Sequence, residues 1–252
     1  MNKRDPNQPR HKLFFEILPR NLWRLVKLNA LYLIASLPFF FVTMFVIKIF
    51  AVNVIGRIYT HYGIDISVVL SFWFMVFLGA GPINAGLTFV VREWGKENPC
   101  WFASDFFEKI KQNFKQAFLL WLIDLILICI GVYAIAYYMS IKNYIFAVAV
   151  FYIVTIYILA HIYIYQMMIT YDLRLRDILK NSVLIAMGKL LQSLLVLICL
   201  LLVYVILPIL VIFYGSNIMF LILLAAEILI FPALCSFTVN FYIYPIIKKY
   251  CG

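Results

Sequence analysis

Apolar positions run almost without interruption through six stretches of the chain, at 29–52, 66–91, 117–139, 144–170, 190–213 and 218–245. Each reaches the roughly 20 residues needed to cross about 30 Å of hydrocarbon as a helix. The pattern predicts an all-α, polytopic membrane bundle of six transmembrane helices, with residues 1–252 forming one integral membrane domain.

The polar segments between the stretches carry a helical period. In WFASDFFEKIKQNFKQAF, Phe102, Phe106, Ile110, Phe114 and Phe118 fall on one stripe, and Asp105 with Glu108 suits a capping-box start. Leu175, Ile178, Leu179 and Val183 repeat the idea. Phe14, Leu18, Leu22 and Leu25 do so more weakly, with Pro19 interrupting. Amphipathic helices with basic polar faces lie in the membrane interface. The chain therefore reads as a unit used three times: interfacial helix, outward span, inward span. The alternative, which low identity between the units favours, is a generic even-spanning protein with helical inner loops.

GAGPINAG, residues 79–86, breaks the apolar monotony near the end of the second stretch. Small residues let membrane helices pack closely. On a continuous helix, Gly79, Pro82 and Gly86 share one face, with Gly81 and Ala85 nearly opposite. Close packing against two neighbours is the favoured expectation, with Gly81 and Gly86 touching helices on different sides. The other reading is a broken helix lining a solute path. Pro82 would then free a backbone carbonyl near 78 for a neighbour or Asn84 to satisfy.

Composition agrees with lipid as solvent: the chain is 66% hydrophobic and 13% charged, against about 25% charged for a soluble domain. A net charge of +10 invites a nucleic-acid partner. The distribution argues against one. All but three of the 21 lysines and arginines, the exceptions being Lys48, Arg57 and Lys142, fall on one side of the predicted bilayer. Basic loops mark the cytoplasmic side, so both termini are expected there. Tyr59, Tyr62, Tyr137, Tyr138, Tyr144 and Tyr214 suit an outer aromatic belt; Trp23, Trp94 and Trp101 suit the inner one. Cys100, Cys129, Cys199, Cys235 and Cys251 form no C-x-x-C pair and are expected as free thiols.

Candidate chemistry is sparse. No P-loop, H-E-x-x-H or G-x-S-x-G occurs. His11, His61 and His161 lie on different segments without metal-ligand spacing. A non-enzymatic chain without metal or cofactor is the expectation. The intramembrane polar residues are Asn84, Asp124, His161, Glu227 and Asn240. Such groups are costly in lipid and face the bundle interior. Asp124 and Glu227 could form a proton relay, but a depth difference of about 10 Å at 1.5 Å per residue argues against contact. Each is expected to hydrogen-bond inside the bundle. If spans three and four form a hairpin about residues 141 and 142, His161 lies within one turn of the level of Asp124, so the two are expected to face each other.

Several short motifs stand in a specific order: Leu28-Asn29, Ser36-Leu37-Pro38, Gly81-Pro82, Ala85-Gly86-Leu87, Arg92, Ser104-Asp105-Phe106, Asn113-Phe114-Lys115-Gln116, Tyr171-Asp172-Leu173, Leu179-Lys180-Asn181 and Gly188. From about residue 13 to 205 the chain resembles the YesL-like family of small bacterial membrane proteins. Where that family often reads Gly-Pro-Ala-Thr-Ala-Gly, this chain has Ile83-Asn84; where it often has proline after an aromatic residue, Gln166 stands. The resemblance implies a bacterial plasma membrane protein associated with carbohydrate uptake. Arg92, Asp105, Asn113, Gln116, Asp172, Asn181 and Gly188 would carry its cytoplasmic motif.

Two functional expectations follow. The first is an accessory protein that binds the membrane subunits of a carbohydrate ABC importer, or a membrane-associated regulator. The second is a small-solute transporter or channel, which needs a polar path through the bundle. A wet cavity touching several intramembrane polar residues favours the second, and a packed bundle with an exposed small-residue groove favours the first.

Overall fold

A computed structural model describes residues 9–55 and 65–251. Lys3, Arg4, Arg57, Tyr59, His61 and Tyr62 lie outside the described residues. The described chain is helical: α1 (Arg10–Ile55), α2 (Ile66–Phe77), α3 (Pro82–Gly95), α4 (Phe102–Ser140), α5 (Tyr144–Met168), α6 (Leu175–Gly188), α7 (Leu190–Leu201), a π-helical turn (Leu202–Ile206), α8 (Leu207–Tyr214), α9 (Asn217–Leu229) and α10 (Phe231–Cys251). Helices α1, α4 and α5 are each long and apolar enough to span a bilayer, and three bent pairs bring the number to as many as six. The chain is an all-α membrane bundle.

Two of the expected interfacial helices are not separate elements. α1 has 46 residues and α4 has 39, about 70 and 60 Å at 1.5 Å per residue, twice the hydrocarbon thickness. Both run past the apolar band as single rods. In α4 the reason is the absence of any glycine or proline between Phe102 and Ile130. In α1 the helix continues through Pro19 and Pro38. Only the third unit bends, with 95° between α6 and α7, so the three units are not built alike.

The apolar stripes also rotate. On α1 the buried row is Phe14, Ile17, Asn21, Leu25 and Leu28, while Leu22 is exposed. On α4, Phe106 and Ile110 are buried and the row continues through Ala117, Leu120, Trp121 and Asp124. Phe114 and Phe118 are left outside, stacked on each other. Asp105 does close the start of α4, accepting from Trp101 N–H at 3.0 Å. Glu108 takes no part in that cap and instead accepts from Gln112.

The fourteen-residue α3 lies at the centre, buried along most of its length. One side joins α1, α4 and α10 through Leu28, Ile83, Leu87, Phe106 and Phe237. Ala85 on the other joins Ala117, Leu159, Tyr163 and Ile243. Trp94 is buried in this packing and does not belong to an interfacial belt. Trp23 and Trp101 are exposed, as are Tyr137, Tyr144 and Tyr214 toward the other end. Cys100, Cys129, Cys199 and Cys235 are free thiols.

The second span is not the continuous helix expected from 66–91. α2 ends at Phe77, α3 starts at Pro82, and their axes differ by 51°. Gly79 and Gly81 have φ of +91° and +58°, a region glycine enters without steric cost. The face argument for Gly79, Gly81, Pro82, Ala85 and Gly86 fails because residues 78–81 are not helical. Pro82 is the first residue of α3, where its missing N–H costs little. Close packing remains at two glycines. A Cβ on Gly81 would come within 3.2 Å of Phe39 and Trp121, and one on Gly86 within 2.6 Å of the Phe106 carbonyl oxygen. Gly81 thus approaches α1 and α4 equally closely and Gly86 approaches α4, so the two share α4 as a neighbour where the helical wheel put them on different sides.

The last span breaks as well. α9 and α10 meet at Ile230 with a 60° bend, and Pro232 follows at the second position of α10. Both broken spans run in the same direction, from the sparsely charged end of the bundle to the basic end where α1 begins and α10 finishes.

Candidate functional site: a polar cavity between two broken spans

A break inside a membrane bares backbone groups that water cannot satisfy. Here neighbouring side chains do so. Tyr32 of α1 donates to the Met75 carbonyl at 3.2 Å, and Tyr165 of α5 donates to the Gly81 carbonyl at 3.2 Å. At the second break Asn29 of α1 works in both directions. Its Nδ2 donates to the Ile228 carbonyl at 2.7 Å, and its Oδ1 accepts from Ala233 N–H at 2.9 Å.

These braces frame an internal cavity of about 60 Å³, room for a few waters by volume. The first half of α3 supplies Asn84 and Thr88 to its wall, and α10 supplies Ser236 and Asn240. α5 contributes His161, Tyr165 and Gln166, and Tyr32 completes the polar part. Phe77, Leu87, Leu197 and Val239 make the apolar part.

Two of the lining amides are unusual. Gln166 is 1% exposed, and neither its Nε2 nor its Oε1 has a partner among the described residues. Asn240 is 3% exposed; its Nδ2 donates to the Ser236 carbonyl at 2.7 Å, while its Oδ1 has no partner. An amide buried without hydrogen bonds costs roughly 1–3 kcal/mol. Both face a cavity, where a bound molecule can recover that cost.

Behind the wall lies a carboxylate. Asp124 of α4 is fully buried, and its Oδ2 stands 3.2 Å from His161 Nε2. Tyr157 donates its hydroxyl to Oδ1 in a short hydrogen bond. The hairpin register expected for α4 and α5 is present, with the turn at Ile141–Asn143 and Lys142 at φ +58°. Tyr157, His161 and Tyr165 are spaced by four, so they line one face of α5, with ring centroids 6.1 and 5.6 Å apart.

Of the five intramembrane polar residues, the structure gathers Asn84, His161 and Asn240 at the cavity and Asp124 directly behind it. Glu227 is elsewhere, on α9, half-buried, with Oε1 unpartnered. Sequence reasoning did not single out Tyr157, Tyr165 or Tyr32, and it noted Asn29 only within the Leu28-Asn29 motif, without a role. The four-residue spacing about His161 was the available signal for the first two. Nothing local shows the bracing role of Tyr32 or Asn29, because their partners lie 43 or more residues away.

The motif residues at the basic end divide by role. Arg92 is buried, donating from Nη1 to Thr170 Oγ1 at 2.6 Å and from Nε to Glu93 at 3.1 Å. Its guanidinium lies over the rings of Phe89 and Tyr244. Burial raises the Glu93 carboxyl, but Asn98, Lys96 and Arg92 outweigh it and hold the group below its ordinary value. Gln116 donates to the Leu173 carbonyl at 3.0 Å, fastening α4 to the loop before α6. Asn113 donates to the Lys109 carbonyl of its own helix. Asp172 is exposed in that loop, and Asn181 and Gly188 line a separate groove beside Lys189. These residues fasten helices or lie at the surface, away from the cavity. No cluster of three metal-ligating side chains occurs among the described residues.

Comparison with known proteins adds a partial family match and nothing about chemistry. Residues 25–135 match the family described as Protein of unknown function, DUF624. The match is consistent with the YesL-like resemblance but shorter than its expected reach, ending within α4 and so leaving out α5, α10 and most of the cavity wall. No curated protein and no solved structure matches the chain.

Proposed function

We propose that this membrane protein binds a small, uncharged, hydrogen-bonding solute in the central cavity and carries it across the bilayer. The observation that carries this reading is the pair of unpartnered amides, Gln166 and Asn240, facing a cavity where two broken spans meet. A bundle serving packing alone gains from leucine at such positions, since an unpaired buried amide destabilises it. The chemistry of the wall selects the solute class. Amides and hydroxyls both donate and accept, and no lysine, arginine or carboxylate lines the cavity. Hydroxylated or amide solutes suit it better than ions. Broken spans meeting near the middle of the membrane are a recurring arrangement in carriers. A solute larger than a few waters requires the half-helices to move, with residues 78–81 and 230 as the hinges.

We read the protein as non-enzymatic, acting without metal or cofactor, in a bacterial plasma membrane with both termini cytoplasmic. The concentration of lysine and arginine at one end supports that orientation. The accessory reading has one observation of its own. Trp101, Phe107 and Phe114 are exposed on the basic extension of α4, a surface that a carbohydrate importer's membrane subunit or a regulator could cover. Its link to carbohydrate uptake rests on the family resemblance.

The test is uptake of radiolabelled erythritol into liposomes carrying the purified protein, with Gln166→Leu beside the wild type. Uptake above protein-free vesicles is expected, falling about tenfold in Gln166→Leu, while that variant is no less stable because it loses an unpaired amide. Wild-type vesicles at the protein-free baseline, or full uptake by Gln166→Leu, would overturn the reading. Recovery of importer subunits in a mild-detergent pull-down would favour the accessory role.

A further inference from the structure

Among the described residues, the Asp124 carboxylate is the acidic group that pairs with a side chain of the cavity wall, and nothing in the solute reading uses it. It is fully buried, no lysine or arginine approaches it, and both of its oxygens are taken by groups of α5. A structural role would be met by Tyr157 and any second neutral donor. The second donor here is a histidine, whose ring can carry either charge state and which also lines the cavity.

We propose that Asp124, His161 and Tyr157 form a proton-binding site beside the cavity, with His161 in its wall, so that proton binding and solute binding are linked. The linkage rests on the reading of the cavity as a solute site; the proton site itself does not. A neutral imidazole whose Nε2–H donates to Asp124 presents Nδ1 as an acceptor. Nδ1 has no hydrogen-bond partner among the described residues. One proton taken from water converts Nδ1 into a donor and brings the net charge of the pair from −1 to zero. No covalent bond forms or breaks. The carboxylate remains beside the new imidazolium, and their attraction offsets part of the cost of keeping both charges in a low-dielectric interior. The wall at His161 thereby changes from accepting to donating. A solute that prefers one form shifts the proton equilibrium, and the proton shifts solute affinity by the same factor.

The other titratable groups around the pair are few. Tyr165 flanks His161 on α5 and donates to the Gly81 carbonyl, Tyr32 faces in from α1 and donates to the Met75 carbonyl, and Cys235 faces in from α10. None of these is a carboxylate or a cation; Glu227 of α9 acts electrostatically on Cys235 but makes no hydrogen bond or ion pair with Asp124 or His161, which are the two groups in contact that exchange charge here.

The proton is the first probe. Infrared difference spectra are recorded on the protein in phosphatidylcholine–phosphatidylglycerol liposomes after steps between about pH 8 and pH 5. The expected result is imidazole and carboxyl bands that Asp124→Asn and His161→Gln each remove and Tyr157→Phe displaces without removing. A wild-type spectrum that Asp124→Asn and His161→Gln both leave unchanged overturns the site. Should Asp124→Asn fail to fold, His161→Gln and Tyr157→Phe decide the same question. The second probe is radiolabelled erythritol in the same liposomes. With acid outside, uptake should rise about fivefold or more over equal pH, and in Asp124→Asn the ratio of the two rates should fall to about one. Uptake indifferent to the gradient overturns the linkage and leaves the solute reading standing. Baseline uptake under every condition overturns the solute reading and the linkage together, while the spectra still decide the proton site.

Discussion

The two broken spans solve one problem by different means. Both α2–α3 and α9–α10 bend by 50–60° in mid-membrane, 51° in the first and 60° in the second. The first break is written into the backbone. Gly79 and Gly81 take positive φ, and the Asn84 side chain folds back so closely that a Cβ on Gly79 would fall 2.5 Å from its Nδ2. The second has no described residue at positive φ. It has Pro232 and, from another helix, the Asn29 amide bridging the gap. One break is intrinsic to its own residues; the other is imposed by a partner. In lipid either suffices, because what matters is that each freed N–H and C=O finds a protein group.

That contrast is sharpest at Asn29. Asn29→Leu removes both bonds across the second break and leaves an N–H and a C=O bare. We expect a loss of about 2–4 kcal/mol, counting roughly 1–3 per buried unsatisfied group with some relaxation. The measurement is reversible denaturation in bicelles. A loss below about 0.5 kcal/mol, within the range of ordinary surface substitutions, would mean that the second break, like the first, holds itself.

At the intrinsic break the corresponding change is Gly79→Ala, expected to cost about 1–3 kcal/mol from the backbone conformation and the clash with Asn84. Adding Asn84→Ala should recover most of the steric share, leaving the contact with the Cβ at position 84 at 2.9 Å and the conformational share. If the double variant regained full stability, positive φ would contribute nothing and the intrinsic character of this break would be in doubt.

A smaller effect is expected at the brace of the first break. Tyr165→Phe removes one hydrogen bond, to the Gly81 carbonyl, and should cost about 1 kcal/mol. A larger loss than that of Asn29→Leu would reverse the comparison, making the glycine break the more dependent on its partner.

The smallest expected effect lies at the far ends of the two spans. α2 is capped by the Asp65 carboxylate, which accepts from Ser67 N–H at 2.9 Å; α9 is capped by the Ser216 hydroxyl. The Ser67 backbone and hydroxyl bonds hold Asp65 below its ordinary value. Its contribution is therefore present above the unfolded carboxylate value and is lost as pH falls through the lower folded one. Protection of the first turn of α2 in hydrogen exchange should weaken over that acid window in the wild type and not in Asp65→Asn, while the start of α9 stays indifferent. Equal acid sensitivity at both ends would count against the cap as its cause.

The same contrast governs how much could be read in advance. The glycine break was visible as GAGPINAG, although packing was the preferred meaning. Counting helical angle from Gly79 presumed a continuous helix, which positive φ at two residues forbids. The Asp124–His161 pair was predictable because a short turn fixes the depth of both partners. The Asn29 brace was not, because its acceptor on α9 is 199 residues away and only packing brings them together. The cavity was half legible. Asn84, His161 and Asn240 declared themselves as polar groups in lipid, whereas Gln166 lies at the edge of a span and reads as an interfacial residue until α3 and α10 close over it.

What the sequence determined by itself was the solvent, the number of apolar stretches, their helical character and the segregation of charge. These follow from length, hydropathy and lysine and arginine placement, which act residue by residue. The tertiary structure decided where helices break, which amides remain unpaired and which distant side chain braces each break. Those outcomes depend on the rotation of each helix about its axis. Several rotations bury nearly the same apolar area in lipid, so hydropathy cannot choose among them. Hydrogen bonds between distant residues can, because in hydrocarbon a polar group has no partner except another part of the protein.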